Sequence, residues 1–550
     1  MKILAKLLAA VLLAASLFCS LLSAQSAKPP AAASASRAYR IAGIVVNANT
    51  SQPLAGVRVS VANTKNSKDT QTTVAGDDGR FQFQVAAGKY SLRGAKRGFV
   101  SYAYEQHETF WTGIVTGGGL DTENLALRLP PVASITGTIT DENGEPVRDA
   151  TISVFRQDHR SGATRIQMYS GAATDDLGTF EVTPLEAGTY FVTATARPWY
   201  AVHPSSADPS LKGSDKTVDR TLDVAFPVSY FKDATEPDDA TPVPIRAGDR
   251  AQVDIHMNPA PALHLFFRAG SNDPRGFNQP TFQKELFDGL LVAPPQYDVT
   301  DGPGVHEITG LAPGRYMLST TLQGASKAPS PVDLTTDGQN LDFSEGPSAA
   351  SIKALVQTTA KIPESLAIVL RNSRGRLVDR AEVNEQGVAD FVNVTPGEYD
   401  LVAGTPDRAY SISTITIGEH VSPGHALNVP PGSALTISLT LVGSAVSVEG
   451  IAQQAGKPFH GAMIVLVPNN PDADPELFRR DQSDLDGSFA LQQVIPGTYT
   501  LMAIENGWDL DWAKPAVLAG YRRHGQRIIV GESGRGTLRV TTPVEVQPRL

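Results

Sequence analysis

The chain has 550 residues, 41% hydrophobic and 19% charged, with Gly 48, Pro 39 and a formal net charge of −10. That length exceeds a single core, and the Gly and Pro content points to many turns in a globular protein rather than to disorder. The acidic balance argues against nucleic acid, whose binding relies on neutralising phosphates.

The predicted elements begin with a leader. Residues 1–24 carry Lys2 and Lys6, an apolar run from Leu7 to Leu22 and small residues around Ala24, the pattern of a cleaved secretory signal. Cys19 is the single cysteine, and Leu17 and Phe18 precede it where a lipid-anchor signal wants small residues. Cleavage leaves a chain without thiols, disulfides or Cys-ligated metal, at a net charge of about −12. No later stretch reaches the roughly 18 apolar residues of a membrane-spanning helix. The expected product is exported, with no stable membrane insertion, in the periplasm, at the cell surface or outside the cell. An Ala/Ser/Pro linker at 25–37 follows.

From there one unit recurs. DDGRFQFQVAAGKYSL (77–92), DDLGTFEVTPLEAGTYFV (175–192), DGPGVHEITGLAPGRYML (301–318), EQGVADFVNVTPGEYDL (385–401) and DLDGSFALQQVIPGTYTL (484–501) share a turn, a strand, a second turn and a Tyr-led strand. The spacing from the turn Gly to the Tyr is 12 residues in the last four copies and 11 in the first, which marks a repeated structural unit. An Asp or Asn before Gly suits a tight turn, and the alternation at Phe489 and Leu491 predicts strands with one buried face. Tyr90, Tyr190, Tyr316, Tyr399 and Tyr499 are placed as the corner tyrosines of β-sandwiches, ring buried and hydroxyl bonded to nearby backbone. Upstream of most copies lies a strand–turn–Pro–strand element, as in ITGTITDENGEPVRDATISVF (135–155), which reads as a hairpin at Asn143-Gly144. Helical patterns occur only near 282–290 and 515–522.

The expected fold is all-β: five tandem antiparallel β-sandwich domains, Ig-like or transthyretin-like, at 38–130, 131–258, 259–346, 347–443 and 444–550. The second carries a long loop, the third is the most degenerate, and Pro-limited joints suggest a semi-rigid rod.

The two elements together resemble the carboxypeptidase regulatory-like domain. The matching positions are Gly137, Gly144, Pro146, Gly178, Phe180, Gly188 and Tyr190 in the second unit, and Gly450, Gly456, Pro458, Asp486, Gly487, Phe489, Gly497 and Tyr499 in the fifth. The resemblance implies a transthyretin-like sandwich and says little about activity.

Motifs for chemistry are sparse. None of the ten histidines has a Glu three residues on, so a zinc carboxypeptidase site is not expected. Gly531-Glu-Ser533-Gly-Arg535 fails as a nucleophile elbow because Arg535 stands where a Gly is required, and a hairpin turn is expected there. Asp484-Leu-Asp486-Gly487 lacks both end ligands of a calcium loop, with Gln482 and Gln493 at those positions, so its acids read as turn residues. The first strands carry no Lys for an isopeptide staple. No metal, cofactor or catalytic residue is therefore expected.

Aromatic residues remain as ligand candidates: Trp111, Trp199, Tyr200, Trp508 and Trp512. Exposed indoles beside acids and amides suit glycans, whereas burial would make them core or inter-domain wedges. Trp512, off the repeat register and beside Asp511, is the one most expected to be exposed. The functional expectation is a non-enzymatic scaffold or binding protein of the bacterial cell envelope, with glycans or envelope proteins as partners. A carbohydrate-binding protein, or an accessory subunit for an outer-membrane transporter or a separate hydrolase, are the alternatives.

Overall fold

A computed structural model describes residues 38–550 apart from 205–218, 269–276, 288–290, 342–346, 532–534 and the short gaps 293, 295–296, 303–304, 323–324, 359–360, 373–374, 376, 406–407, 444 and 472–473. The leader, Cys19 and the linker expected at the N-terminus lie outside the described residues.

The alternation of apolar residues does set the strands. Ala133–Thr140 buries every second residue, and Arg80–Val85 hides Phe81, Phe83 and Val85 while Arg80, Gln82 and Gln84 face out. Such faces close over five apolar cores, centred on Leu92, Val192, Phe282, Leu401 and Leu501, and the segments around them are called units one to five.

The turn chemistry is as expected. Asp175 accepts the backbone N–H groups of Leu177 and Thr179 at 3.0 and 2.8 Å, and Asn384 does the same for Gln386 and Val388. The glycine three residues on sits at φ +69° in one and +78° in the other, conformations that Gly adopts without strain. All five tyrosines are buried. Each donates its hydroxyl to the carbonyl four residues back, on Ala86, Glu186, Ala312, Thr395 and Ile495, at 2.5–3.2 Å. Unit three, the most degenerate in sequence, therefore carries the same corner.

Wiring departs from a purely antiparallel sandwich in one repeated way. The first strand of each unit pairs antiparallel with the strand that precedes the corner Tyr. On its other side it pairs in parallel with a late strand: Tyr39–Asn47 with Leu125–Leu129, Ala133–Thr140 with Arg250–Gln252, Leu263–Arg268 with Gln339–Leu341, Ala350–Thr358 with Ala434–Gly443, and Ala445–Gln454 with Arg535–Arg539. This central position explains the Gly in the first strand: a Cβ on Gly137 would sit 1.8 Å from the Val253 carbonyl oxygen.

Three local expectations are corrected. The turn at Asn143-Gly144 forms, with Asp141 accepting from Asn143 and Glu145 at 2.9 Å, but it is not a hairpin. Ala133–Thr140 and Thr151–Asp158 belong to opposite sheets, because each already has two other neighbours. Likewise Gln526–Val530 pairs with Gly497–Ile504 and Arg535–Arg539 with Ala445–Gln454, so these two strands are not each other's hairpin partners; residues 532–534 between them lie outside the described residues. Of the helical pattern near 282–290, residues 282–285 belong instead to the strand Phe277–Glu285 and residues 288–290 lie outside the described residues, whereas Pro515–Arg522 is helical as expected. Among the described residues no helix is long and apolar enough to cross a membrane.

Candidate functional site

The aromatic candidates lead to a seam between units far apart in sequence. Gly497–Ile504 and its partner Met463–Pro468 are buried on both faces over most of their length. One face makes the core of unit five. The other needs a cover, which the loop bearing Trp508 and Trp512 and the helix Pro515–Arg522 supply, with Leu518 and Tyr521 pointing inward.

Trp512 is only 8% exposed, contrary to the expectation for it. Its indole N–H donates to the His159 carbonyl of unit two at 3.1 Å, and Phe478 meets it edge-on. Trp508 is half-buried, stacked on His107 of unit one at 5.0 Å and 4°, and bonded to the Gly461 carbonyl. Trp111 is half-buried in the loop of unit one that makes this contact. Trp199 is the exception, 79% exposed. Its neighbour Tyr200 is half-buried, pairs its hydroxyl with Glu142, and stands at 90° to the indole, so the two rings form no coplanar platform.

At the centre lies Arg480, which the sequence reading did not single out. Its side chain is 6% exposed and bonds Glu108 of unit one at 2.6 and 3.3 Å. The guanidinium lies 4.2 Å from the centre of the Trp512 ring and 5.3 Å from that of Phe110, an arrangement in which ring faces stabilise a cation removed from water. Next to it Gln482, 1% exposed, donates to the Glu105 carbonyl at 2.7 Å and Thr112 Oγ1 at 2.8 Å, while its oxygen meets His107 Nδ1 at 3.1 Å. Asp484 accepts the Gly113 N–H at 2.9 Å and pairs with Lys89. Thus the residue read from sequence as a turn aspartate also holds the first unit to the last.

Electrostatics follow from burial. Burial pushes the Asp484 carboxyl up, against the pull of Lys89, and lifts its neighbour Asp481 to about 6. Glu105 goes the other way: burial works to raise it, but the bond from His460 at 2.8 Å prevails and lowers it, and the same bond raises His460. Glu105 and Glu108 both adopt left-handed backbone, φ 47° and 52°, a conformation costing on the order of 1 kcal/mol per residue outside glycine. Their contacts to His460 and Arg480 hold them there.

Two further junctions tie the units. Asp511 of unit five accepts from Lys514 at 2.6 Å and from Thr164 at 2.8 Å and meets His159 Nδ1 at 2.9 Å; these bonds outweigh its burial and hold its carboxyl below the usual range. Between units two and three, His264 sits between Asp223 at 2.5 Å and Glu307 at 2.6 Å, and the Asp223 bond above all raises it to about 9. Phe287 of unit three fills an apolar pocket of Phe155, Phe191 and Tyr230. The expected rod is therefore corrected: units one and two both dock on unit five. Among the described residues no group of three or more His, Cys, Asp or Glu side chains is placed to hold a metal.

Comparison with known proteins finds one domain family in part of the chain. The carboxypeptidase regulatory-like domain model matches residues 40–112 and 134–223. The chain is 21% identical over 427 residues to Colossin-A of Dictyostelium discoideum, a match covering 70% of this chain and 3% of that much longer protein. Among solved structures, the Bacillus anthracis TIE protein is similar at 13% identity and a TM-score of 0.17, over 74% of this chain and 75% of that one. A streptococcal ancillary pilin is similar at 10% identity and a TM-score of 0.21, over 52% of this chain and 99% of that one. The chain is a tandem-domain protein that carries two segments, 40–112 and 134–223, similar to the carboxypeptidase regulatory-like domain.

Proposed function

We propose that this protein is a non-enzymatic, exported scaffold of the bacterial cell envelope, made of five β-sandwich domains at 38–130, 131–258, 259–346, 347–443 and 444–550. The observation that carries the reading is where the reactive side chains of the seam go. Arg480, Gln482, Asp484 and Asp511 are consumed in holding units together, as befits a part whose task is to keep its shape. Signal-like composition at residues 1–24 supports export. Its partners would be envelope proteins. Fractionation of a tagged chain from producing cells should place it in envelope or medium, and chromogenic ester, peptide and glycoside substrates should show no turnover. Recovery in the cytoplasm, or turnover abolished by a single substitution, would overturn the proposal.

A second reading, glycan binding, is favoured by one feature, the exposed indole of Trp199. A glycan array probed with wild type and Trp199→Ala tests it: selective signal lost in the variant supports it, and a blank array with folded protein removes it.

A further inference from the structure

Asp484 does not do at its turn what its counterpart does in unit two. There Asp175 spends its carboxylate on the N–H groups of Leu177 and Thr179 within its own turn. In unit five Asp486 accepts the Ser488 N–H at 3.0 Å instead, and the Asp484 side chain, 2% exposed, faces unit one and touches Lys89 Nζ. Lys89 is held by its backbone at the start of the strand Gly88–Ala95, paired with Val115 on one side, while its carbonyl accepts the Thr64 N–H at 3.0 Å on the other. The lysine thus comes from a Tyr-led strand and the aspartate from a turn, and neither lies on a first strand.

The two carboxylate oxygens are unlike. Oδ1 accepts the Gly113 N–H at 2.9 Å, whereas Oδ2 meets the lysine and accepts from Ser488 Oγ at 3.1 Å. Only glycine permits this approach, since a Cβ on Gly113 would lie 2.5 Å from both Asp484 Oδ1 and Lys89 Cε. Burial works against the charged forms here. It pushes the Asp484 carboxyl up despite Lys89, and it lifts Asp481, on which both charges act, to about 6. A desolvated pair of this kind is drawn toward the neutral amine and the neutral acid, which are the reactants of an amide.

We propose that Lys89 and Asp484 condense to an amide, a covalent cross-link between units one and five. A proton first passes from Nζ to Oδ2, the nitrogen lone pair then attacks Cγ, and the Cγ–Oδ2 bond breaks. A second nitrogen proton, relayed by the Ser488 hydroxyl, departs with Oδ2 as water. Ammonium and carboxylate thereby become amide and water, with no net charge moved and no further reagent. The Gly113 N–H stands on the oxygen that turns negative in the tetrahedral intermediate, and the fixed contact replaces an encounter between separate molecules. The lysine side chain is 34% exposed, which gives the water an exit. The bond closes only after unit one has docked, so a chain whose docking fails keeps a free lysine. This goes beyond the scaffold reading, which requires only that the units stay together and stands without the amide.

Trypsin digestion of the purified full chain after denaturation, read by mass spectrometry, tests it. The expected product is one branched peptide, residues 81–93 joined to 481–522, uncut after Lys89 and one water lighter than the sum of its two parts. Lys89→Arg retains the positive charge at the seam, so it should fold, yet it should release 81–89 and 481–522 as separate peptides. Asp484→Ala should likewise leave its peptide unjoined. Recovery of unjoined 81–89 and 481–522 from folded wild type, or a branched peptide that persists in Lys89→Arg, would overturn the proposal.

Discussion

Replacing Arg480 with Ala tests the seam most sharply. The guanidinium is 6% exposed and its partner Glu108 14%, so truncation leaves a carboxylate largely cut off from water and facing no cation. Breaking a buried pair in this way costs about 3–5 kcal/mol, and the lost contact with the Trp512 and Phe110 rings adds about 1–2 kcal/mol. Chemical denaturation followed by tryptophan fluorescence reads this directly, because Trp508 and Trp512 both border Arg480. The seam transition should move to lower denaturant by the equivalent of at least 3 kcal/mol. Glu108→Gln should show most of the same loss. The double variant Glu108→Gln/Arg480→Met, which removes both charges while keeping the volume, should recover more than half of it, since an apolar replacement of a buried pair is often close to neutral. A shift below about 0.5 kcal/mol in Arg480→Ala, the range of ordinary surface changes, would refute the reasoning.

Other outcomes follow from single contacts. Tyr190→Phe should destabilise unit two by about 1 kcal/mol by leaving the Glu186 carbonyl without its donor, read by denaturation against wild type. Gly137→Ala should prevent unit two from folding, since its Cβ would fall 1.8 Å from the Val253 carbonyl oxygen; soluble yield and resistance to proteolysis check this. His264, raised from 6.5 to about 9 by its two carboxylates, contributes stability that is fully present below about pH 6.5 and is lost as the pH rises through 9. The displacement is worth about 3 kcal/mol, so unfolding of wild type should weaken between pH 7 and 10 by more than that of His264→Gln.

Much of the fold was legible because it is written in local chemistry. The Gly-to-Tyr spacing, the Asp-Gly turns and the alternation at Phe81 and Phe83 each depend on a few neighbouring residues, and the structure honours all three. Pairing between strands was less legible. Asn143-Gly144 has the composition of a hairpin turn, but a turn sequence does not say whether the next strand stays in the same sheet. The seam was hardest to foresee, since Glu108 and Arg480 are 372 positions apart and no periodicity links them. One signal was present and unused: the unbroken apolar run Met463-Ile-Val-Leu-Val467 denotes a strand covered on both faces. Something nearby had to cover its outer face, and Trp512 was at hand. Reading Trp512 as exposed because it fell outside the repeat register overlooked that need.

Small-angle scattering of the full chain in solution tests the central claim, that the first and second units close onto the fifth. A compact chain of this length has a radius of gyration of about 24 Å, and the docked arrangement predicts a value below roughly 30 Å by the same scaling. Five sandwiches end to end, each about 35 Å long from strands of eight to ten residues, would give a rod with a radius of gyration of about 50 Å. A value near that of the rod in wild type would contradict the account; a compact wild type that extends in Arg480→Ala is the result it predicts.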